Sequence, residues 1–197
     1  MDWEGLNKMA KRSKLKVRKG KKKWFPVKAP GIYNKALPEI TAYEPAELVG
    51  RTVLISMKEL TGSSKDSNIN AKFEIVKVQG DTAITEAIGL FVQDAQISRV
   101  SKRARTRITF VFYANDKDGK KIKFKILLAS KNLLSGLVQN EIRLLSESII
   151  EKMVKKMTAE NIFTIDTSKK VSTELKKQTK PIYPLNDAII WKASIVQ

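Results

Sequence analysis

The sequence predicts an α+β domain: an antiparallel β-sheet or small β-barrel flanked by a long helix and a shorter one, with a basic, extended N-terminal arm. Three observations carry this. Residues 106–127 alternate apolar and polar with period two. From Leu137 onward the apolar spacing becomes three or four. The first 23 residues hold ten Lys or Arg against Asp2 and Glu4. Two periods in one chain mean sheet and helix, and β-rich segments followed by helices point to α+β.

Residues 1–23 are too poor in apolar side chains to offset the entropy of ordering them. They read as an arm disordered when free, with at most a short helical turn around Trp3 and Leu6. Residues 24–197 then form a single domain, a size one core can hold together. Roughly 24–50 is extended, because Pro26, Pro30, Pro38 and Pro45 each push the preceding residue out of the helical region. In "RTVLISM" (51–57), Val53, Ile55 and Met57 share a face. "TGSSKDSN" (61–68) is a polar loop. "KFEIVKV" (72–78) and "TAITEAI" (82–88), split by Gly80 and Asp81, read as a hairpin.

A faint stripe through Val92, Ala95 or Gln96, Val100 and Ala104 suggests a short helix in 91–104. Next, Ile108, Phe110 and Phe112 alternate inward, "NDKDG" turns the chain, and Ile122, Phe124 and Ile126 alternate inward again. Asp116 and Asp118 read as turn residues rather than as ligands. Leu137, Ile142, Leu145, Ile149, Met153 and Met157 trace an amphipathic helix of about six turns, on which Glu141 and Glu147 are exposed. A second helix over 168–178 turns Val171 and Leu175 inward. Residues 188–196 form a final strand that returns to the sheet.

The chemistry is bounded by what is missing. The chain contains neither cysteine nor histidine, so the commonest general base and the commonest transition-metal ligand are absent. No phosphate-cradling glycine loop or nucleophile elbow occurs. No enzyme activity, cofactor, metal or small-molecule substrate is expected. The N-terminus lacks the apolar core of a secretory signal, and no apolar run is long enough to span a bilayer, so no membrane partner is expected.

What remains is charge: 38 Lys plus Arg against 20 Asp plus Glu, a net +18. Such a surplus repels itself unless a counter-charge is present. Nucleic acid supplies one, and release of its condensed ions drives the binding. Three places combine basic and aromatic groups. The first is the arm and its junction: Lys19, Lys21, Lys22, Lys23, Trp24, Lys28 and Tyr33. Lysines neutralise phosphates and flat rings stack on unpaired bases. The plainer reading is a hydrophobic latch of Trp24 and Phe25 on the domain, and the two coexist if Phe25 faces inward. The second is "RVSKRARTR" (99–107), with Arg99, Lys102, Arg103, Arg105 and Arg107 uninterrupted by any acid. Arginine forks grip phosphate oxygens in pairs. The third is the Lys121, Lys123 and Lys125 face, whose plainer reading is a wetted strand. No zinc finger, leucine zipper or helix-turn-helix pattern is present, so shape and phosphate recognition, with RNA ahead of DNA, is expected.

Two end motifs carry a family resemblance. "WFPVKAPGIYN" (24–34) resembles the W-y/f-x-V-K-A-P-x-x-F/Y-N entry of a small-subunit ribosomal protein family shared by archaea and eukaryotes, the eukaryotic-type family one-e, older name three-A-e. "IYPLNDAIIWKASIV" (182–196) resembles its I-Y-P-L-x-D-V-x-I-R-K-V-K. Between them, "RTVLISMKEL" (51–60) is similar to G-R-x-x-E-V-S-L-x-D-L, and "SRVSKR" (98–103) stands where the family has R-S-L-V-R-R. The resemblance implies a structural constituent of the small ribosomal subunit that supports translation in the cytoplasm. It implies a place on the platform near the messenger exit. Its partners there would be small-subunit ribosomal RNA, including the 3′ region, and neighbouring platform ribosomal proteins. Trp24, Val27, Lys28, Ala29 and Pro30 would lie on RNA. The end of the chain soon after the last strand suggests an archaeal-type member. The competing expectation is a free nucleic-acid-binding module, associated with chromatin or RNA.

Overall fold

A computed structural model of the chain describes residues 20–29, 31–33 and 35–196. The disorder expected of the arm, the helical turn near Trp3 and the placement of Lys19 lie outside the described residues. The chain enters the sheet as β1 (Lys23–Lys28) and turns back as β2 (Ala36–Ala42). Pro26 and Pro38 both interrupt this pair, and the register slips there: Phe25 faces Ile40, but Val27 faces Leu37. Neither proline has an N–H to give to a ladder, so each is tolerated where the ladder is already irregular.

A one-turn 3-10 helix opened by Pro45 leads to β3 (Thr52–Ser56). Met57 starts the short helix α1 (Met57–Thr61), capped by the Ser56 hydroxyl accepting from the Lys58 N–H. The polar loop that follows carries one surprise. Asp66 is buried, and its carboxylate meets Lys169 at 3.1 Å, tying the loop to a distant helix. The expected hairpin is present and longer than its sequence signal: β4 (Ile69–Gln79) and β5 (Thr82–Val92) turn at Gly80 with φ 60°. A bulge at Ile88 shifts the parity of β5 and hides its last residues from a period-two reading.

After β5 come α2 (Asp94–Val100), β6 (Arg107–Asn115) and β7 (Lys121–Ser130). Asp116 shapes the β6–β7 turn: its Oδ1 accepts from the Asp118 and Lys120 amides, both at 2.9 Å. The helices α3 (Gly136–Val154), α4 (Ala159–Ile162) and α5 (Ile165–Thr179) precede β8 (Leu185–Ile195). Leu137 corrects one expectation, being 87% exposed. It precedes Ile142 by five residues, which places it about 140° round the helix from the buried stripe. That stripe is Ile142, Ser146, Ile149, Ile150 and Val154.

The sheet runs β2-β1-β5-β8-β7-β6, with β4 and then β3 attached to the other side of β5. It is open and mixed. Val27 and Lys28 pair in parallel with Ala83 and Ile84, the one parallel pair among the described residues. The α+β class therefore holds, with a sheet rather than a closed barrel. Helices α3 and α5 pack on β6 and β8 and on each other, covering one face. Phe25, Phe73, Phe124, Ile122 and Ile126, each at most 2% exposed, belong to one core cluster with the buried residues of these helices. Burying one such side chain contributes roughly 1.5–3 kcal/mol. The opposite face is divided. Helix α2 covers one end, with Ile97 and Val100 against Leu127 and Ala129. The remainder is open.

Candidate nucleic-acid interface

The parity of β7 explains the open face. Lys121, Lys123, Lys125, Leu127 and Ala129 all point the same way, because side chains alternate along a strand. The switch from lysine to apolar residues marks where α2 begins to cover the sheet. Upstream of that switch the lysines meet rings. Lys121 and Lys123 lie 4.9 and 5.8 Å from the Tyr113 centroid, on the neighbouring strand β6. Lys125 lies 3.3 Å from the Trp191 centroid on β8, and Arg107 lies 5.3 Å from the same ring. The Trp191 Nε1–H donates to Asp94 Oδ1 at 3.2 Å, fixing the indole against the start of α2.

Arg107 and Lys125, one residue from each of two basic clusters, therefore meet at one indole. Arg99 sits in the last turn of α2, Lys102, Arg103 and Arg105 occupy the connection to β6, and Arg107 is its first residue. All are exposed except Arg105, which is half-buried. The Arg105 amide donates to the Lys102 carbonyl at 3.2 Å, which folds the connection into a turn. Lys192, exposed and paired in register with Lys125, adds another cation. Among the described residues, none of these cations forms an ion pair with a carboxylate.

Beside Trp191 the face dips into a recess of about 720 Å³, lined by Leu54, Lys72, Gly89, Phe91, Trp191 and Lys192 together with the carboxylates Glu74, Glu86 and Asp94. Gly89 allows it: a Cβ there would stand 2.9 Å from the Ala193 carbonyl, so β5 and β8 approach this closely only at a glycine. Outside this recess, the cations held over Tyr113 and Trp191 supply what single-stranded nucleic acid requires: charge for phosphates, π-faces for bases.

At the arm junction the two readings divide residue by residue. Phe25 and Val27 are 2% and 1% exposed and form the latch. Trp24 is 67% exposed and offers its ring to solvent. Lys21, Lys22, Lys23 and Lys28 are also exposed, with the Lys22 ammonium 5.5 Å from the Tyr43 ring. Tyr33 is a correction. Its ring packs edge-on against buried Phe73, centroids 6.3 Å apart, and is not free to stack on a base. Burial, helped by the Asp166 charge, pushes its hydroxyl up to about 12.

The sequence reading missed Tyr113, Trp191 and Lys192. Tyr113 shares the outward parity of Arg107, Thr109 and Val111, a signal present but unused. Trp191 sits where the β7–β8 register slips, between Ile190 opposite Ile126 and Lys192 opposite Lys125. Alternation from either end of β8 misplaces it.

The fold and this face define a class: a basic α+β protein whose open sheet interleaves unpaired cations with aromatic rings, the equipment of a polyanion-binding structural protein. Comparison with known proteins narrows it. Residues 10–197 match the Ribosomal S3Ae family, and the chain belongs to that family. Relatives include the small ribosomal subunit protein eS1 of Nanoarchaeum equitans, 32% identical over 83% of this chain and 83% of that one. The protein of the same name from Methanobrevibacter smithii is 26% identical over 89% and 91%, and that from Saccharolobus islandicus 25% over 95% and 91%. The family is one of ribosomal proteins, not an enzyme class.

Proposed function

We propose that this chain is a structural constituent of the small ribosomal subunit and that it holds ribosomal RNA on the open face of its sheet. Family membership supports the first part. One observation carries the second: Arg107 of the 99–107 cluster and Lys125 of the 121–125 cluster both lie against the Trp191 ring, and neither forms an ion pair among the described residues. Trp24 with Lys21, Lys22, Lys23 and Lys28 forms a second contact where the arm meets the domain. Lys121, Lys123, Lys192, Arg99, Lys102, Arg103 and Arg105 complete the phosphate-facing set. The two end motifs support a finer placement, on the platform by the 3′ region of the RNA and beside other platform proteins. Lys19 belongs with the arm contact.

A sucrose gradient of native extract tests the first part: the protein sediments with small subunits, and material found only at the top of the gradient refutes it. Photo-crosslinking from position 113 in purified subunits tests the second. RNA adducts support the open face, and their absence removes it. Adducts outside the 3′ region displace the finer placement alone.

A further inference from the structure

Among the described residues the sheet ends at three strands, and two of those ends are protected. Strand β2 carries Pro38, Glu39 and a register slip, while β3 is five residues long and passes directly into α1. Prolines, charges, bulges and brevity are how proteins discourage pairing at a sheet edge. Strand β6 has neither proline nor bulge nor brevity, and a single charge. It reads "RITFVFYAN", nine residues without proline or acid, with Arg107 at its first position as its charge, and it pairs with β7 without a slip.

Register shows which backbone groups are free. The Asp116 amide donates to the Lys120 carbonyl at 3.1 Å, and the Ser130 amide to the Thr106 carbonyl at 3.0 Å. In an antiparallel ladder, bonded pairs recur every second residue. Even-numbered residues of β6 therefore bond to β7. The N–H and C=O of Arg107, Thr109, Val111, Tyr113 and Asn115 point to the free edge, and no described strand receives them.

We infer that the β6 edge takes up an extended segment of a neighbouring protein as a further strand, and that this segment alternates acidic and apolar side chains. Only a polypeptide backbone matches a row of alternating donors and acceptors at strand spacing. Above the edge stand Arg107, Lys121 and Lys123; below it half-buried Phe112 is the accessible apolar side chain, next to buried Phe110, while Arg143 over the Phe110 ring is already paired with Glu147 at 3.1 Å. Carboxylates suit Arg107, Lys121 and Lys123, and apolar side chains suit Phe112. A second copy is disfavoured, because each chain brings a net +18 to the meeting. The inference depends on the ribosomal assignment for where the partner is met.

The test is residue-resolved amide exchange on the free chain and on purified small subunits, with Val111→Pro as the variant. Proline at 111 deletes an edge-facing donor, which an edge strand tolerates, whereas Phe112→Pro breaks the ladder and prevents folding. In subunits the Thr109, Val111 and Tyr113 amides exchange at least about 100-fold more slowly than in the free chain. The Val111→Pro protein folds and keeps its affinity for ribosomal RNA, but Thr109 and Tyr113 lose the protection. Equal exchange in the two wild-type samples overturns the inference. So does protection that survives Val111→Pro, which assigns the cover to RNA. Protection already present in the free chain also overturns it: removal by deleting residues 1–19 assigns the edge to the chain itself, and dependence on concentration assigns it to a second copy. If the protein does not sediment with small subunits, it is the ribosomal reading that fails.

Discussion

The two faces of the sheet treat their cations differently. On the helical face, Arg143 meets Glu147 at 3.1 Å, Lys155 meets Glu151 at 2.7 Å and Lys176 meets Asp187 at 3.6 Å. Lys152, Lys156 and Lys170 stand unpaired around a groove between α3 and α5, but its floor is Ile149, Met153 and Met157, with no ring. On the open face, Arg107, Lys121, Lys123 and Lys125 lie against Tyr113 or Trp191. On the reading proposed above, excess charge alone does not mark the RNA surface; cations and rings presented together do, because phosphate neutralisation and base stacking then act on the same few nucleotides.

Removing equal charge from each face is the strongest way to break the comparison. Replacing Lys121, Lys123 and Lys125 with Gln lowers affinity for a small-subunit RNA fragment about 10–100-fold near 0.15 M salt, and reduces the log–log salt slope by about 2–3. Replacing Lys152, Lys156 and Lys170 lowers affinity no more than about 3-fold. Filter binding across a salt series measures both, and equal losses abolish the distinction between the faces. Trp191→Ala comes next. It removes the ring shared by Arg107 and Lys125, and loss of stacking costs about 1–3 kcal/mol in the same assay. Trp191→Phe recovers most of that while still lacking the hydrogen bond to Asp94.

Neighbours on β1 sharpen the contrast at the arm. Trp24→Ala changes stability by no more than about 0.5 kcal/mol yet weakens RNA binding by roughly 1 kcal/mol or more. Phe25→Ala costs about 3–5 kcal/mol of stability, read by urea denaturation. A similar stability loss from both assigns Trp24 to the latch. The smallest effect concerns Tyr33. Its hydroxyl titrates near 12 in the fold against 10.0 unperturbed, so folding favours the protonated form. That contribution is complete below pH 10 and is lost as pH rises towards 12. Tyr33→Phe therefore loses less stability than wild type between those limits, as thermal melts at pH 9 and 11 report.

The legible parts share one physical property: their signal is local. Ile122, Phe124 and Ile126 against Lys121, Lys123 and Lys125 need no partner strand to declare their faces. The α3 stripe was legible at Ile142 and Ile149, with Leu145 and Met153 half-buried beside it; it failed at Met157, which lies past the end of the helix, and at Leu137, where apolar character has the wrong phase for burial. Tyr33 failed for a related reason. Its neighbours in sequence are basic and proline-rich, while its neighbour in space is Phe73.

The sequence by itself determined the α+β class, the two hairpins, the basic character and the family, because composition, period and end motifs are properties of short stretches. Tertiary structure alone decided that Arg107 and Lys125 share Trp191, that β1 runs parallel to β5, and that β6 is left as an open edge. Those outcomes depend on register and bulges between strands far apart in the chain. A slip of one residue in pairing turns a side chain to the other face, and no stretch of sequence records which slip its distant partner will impose.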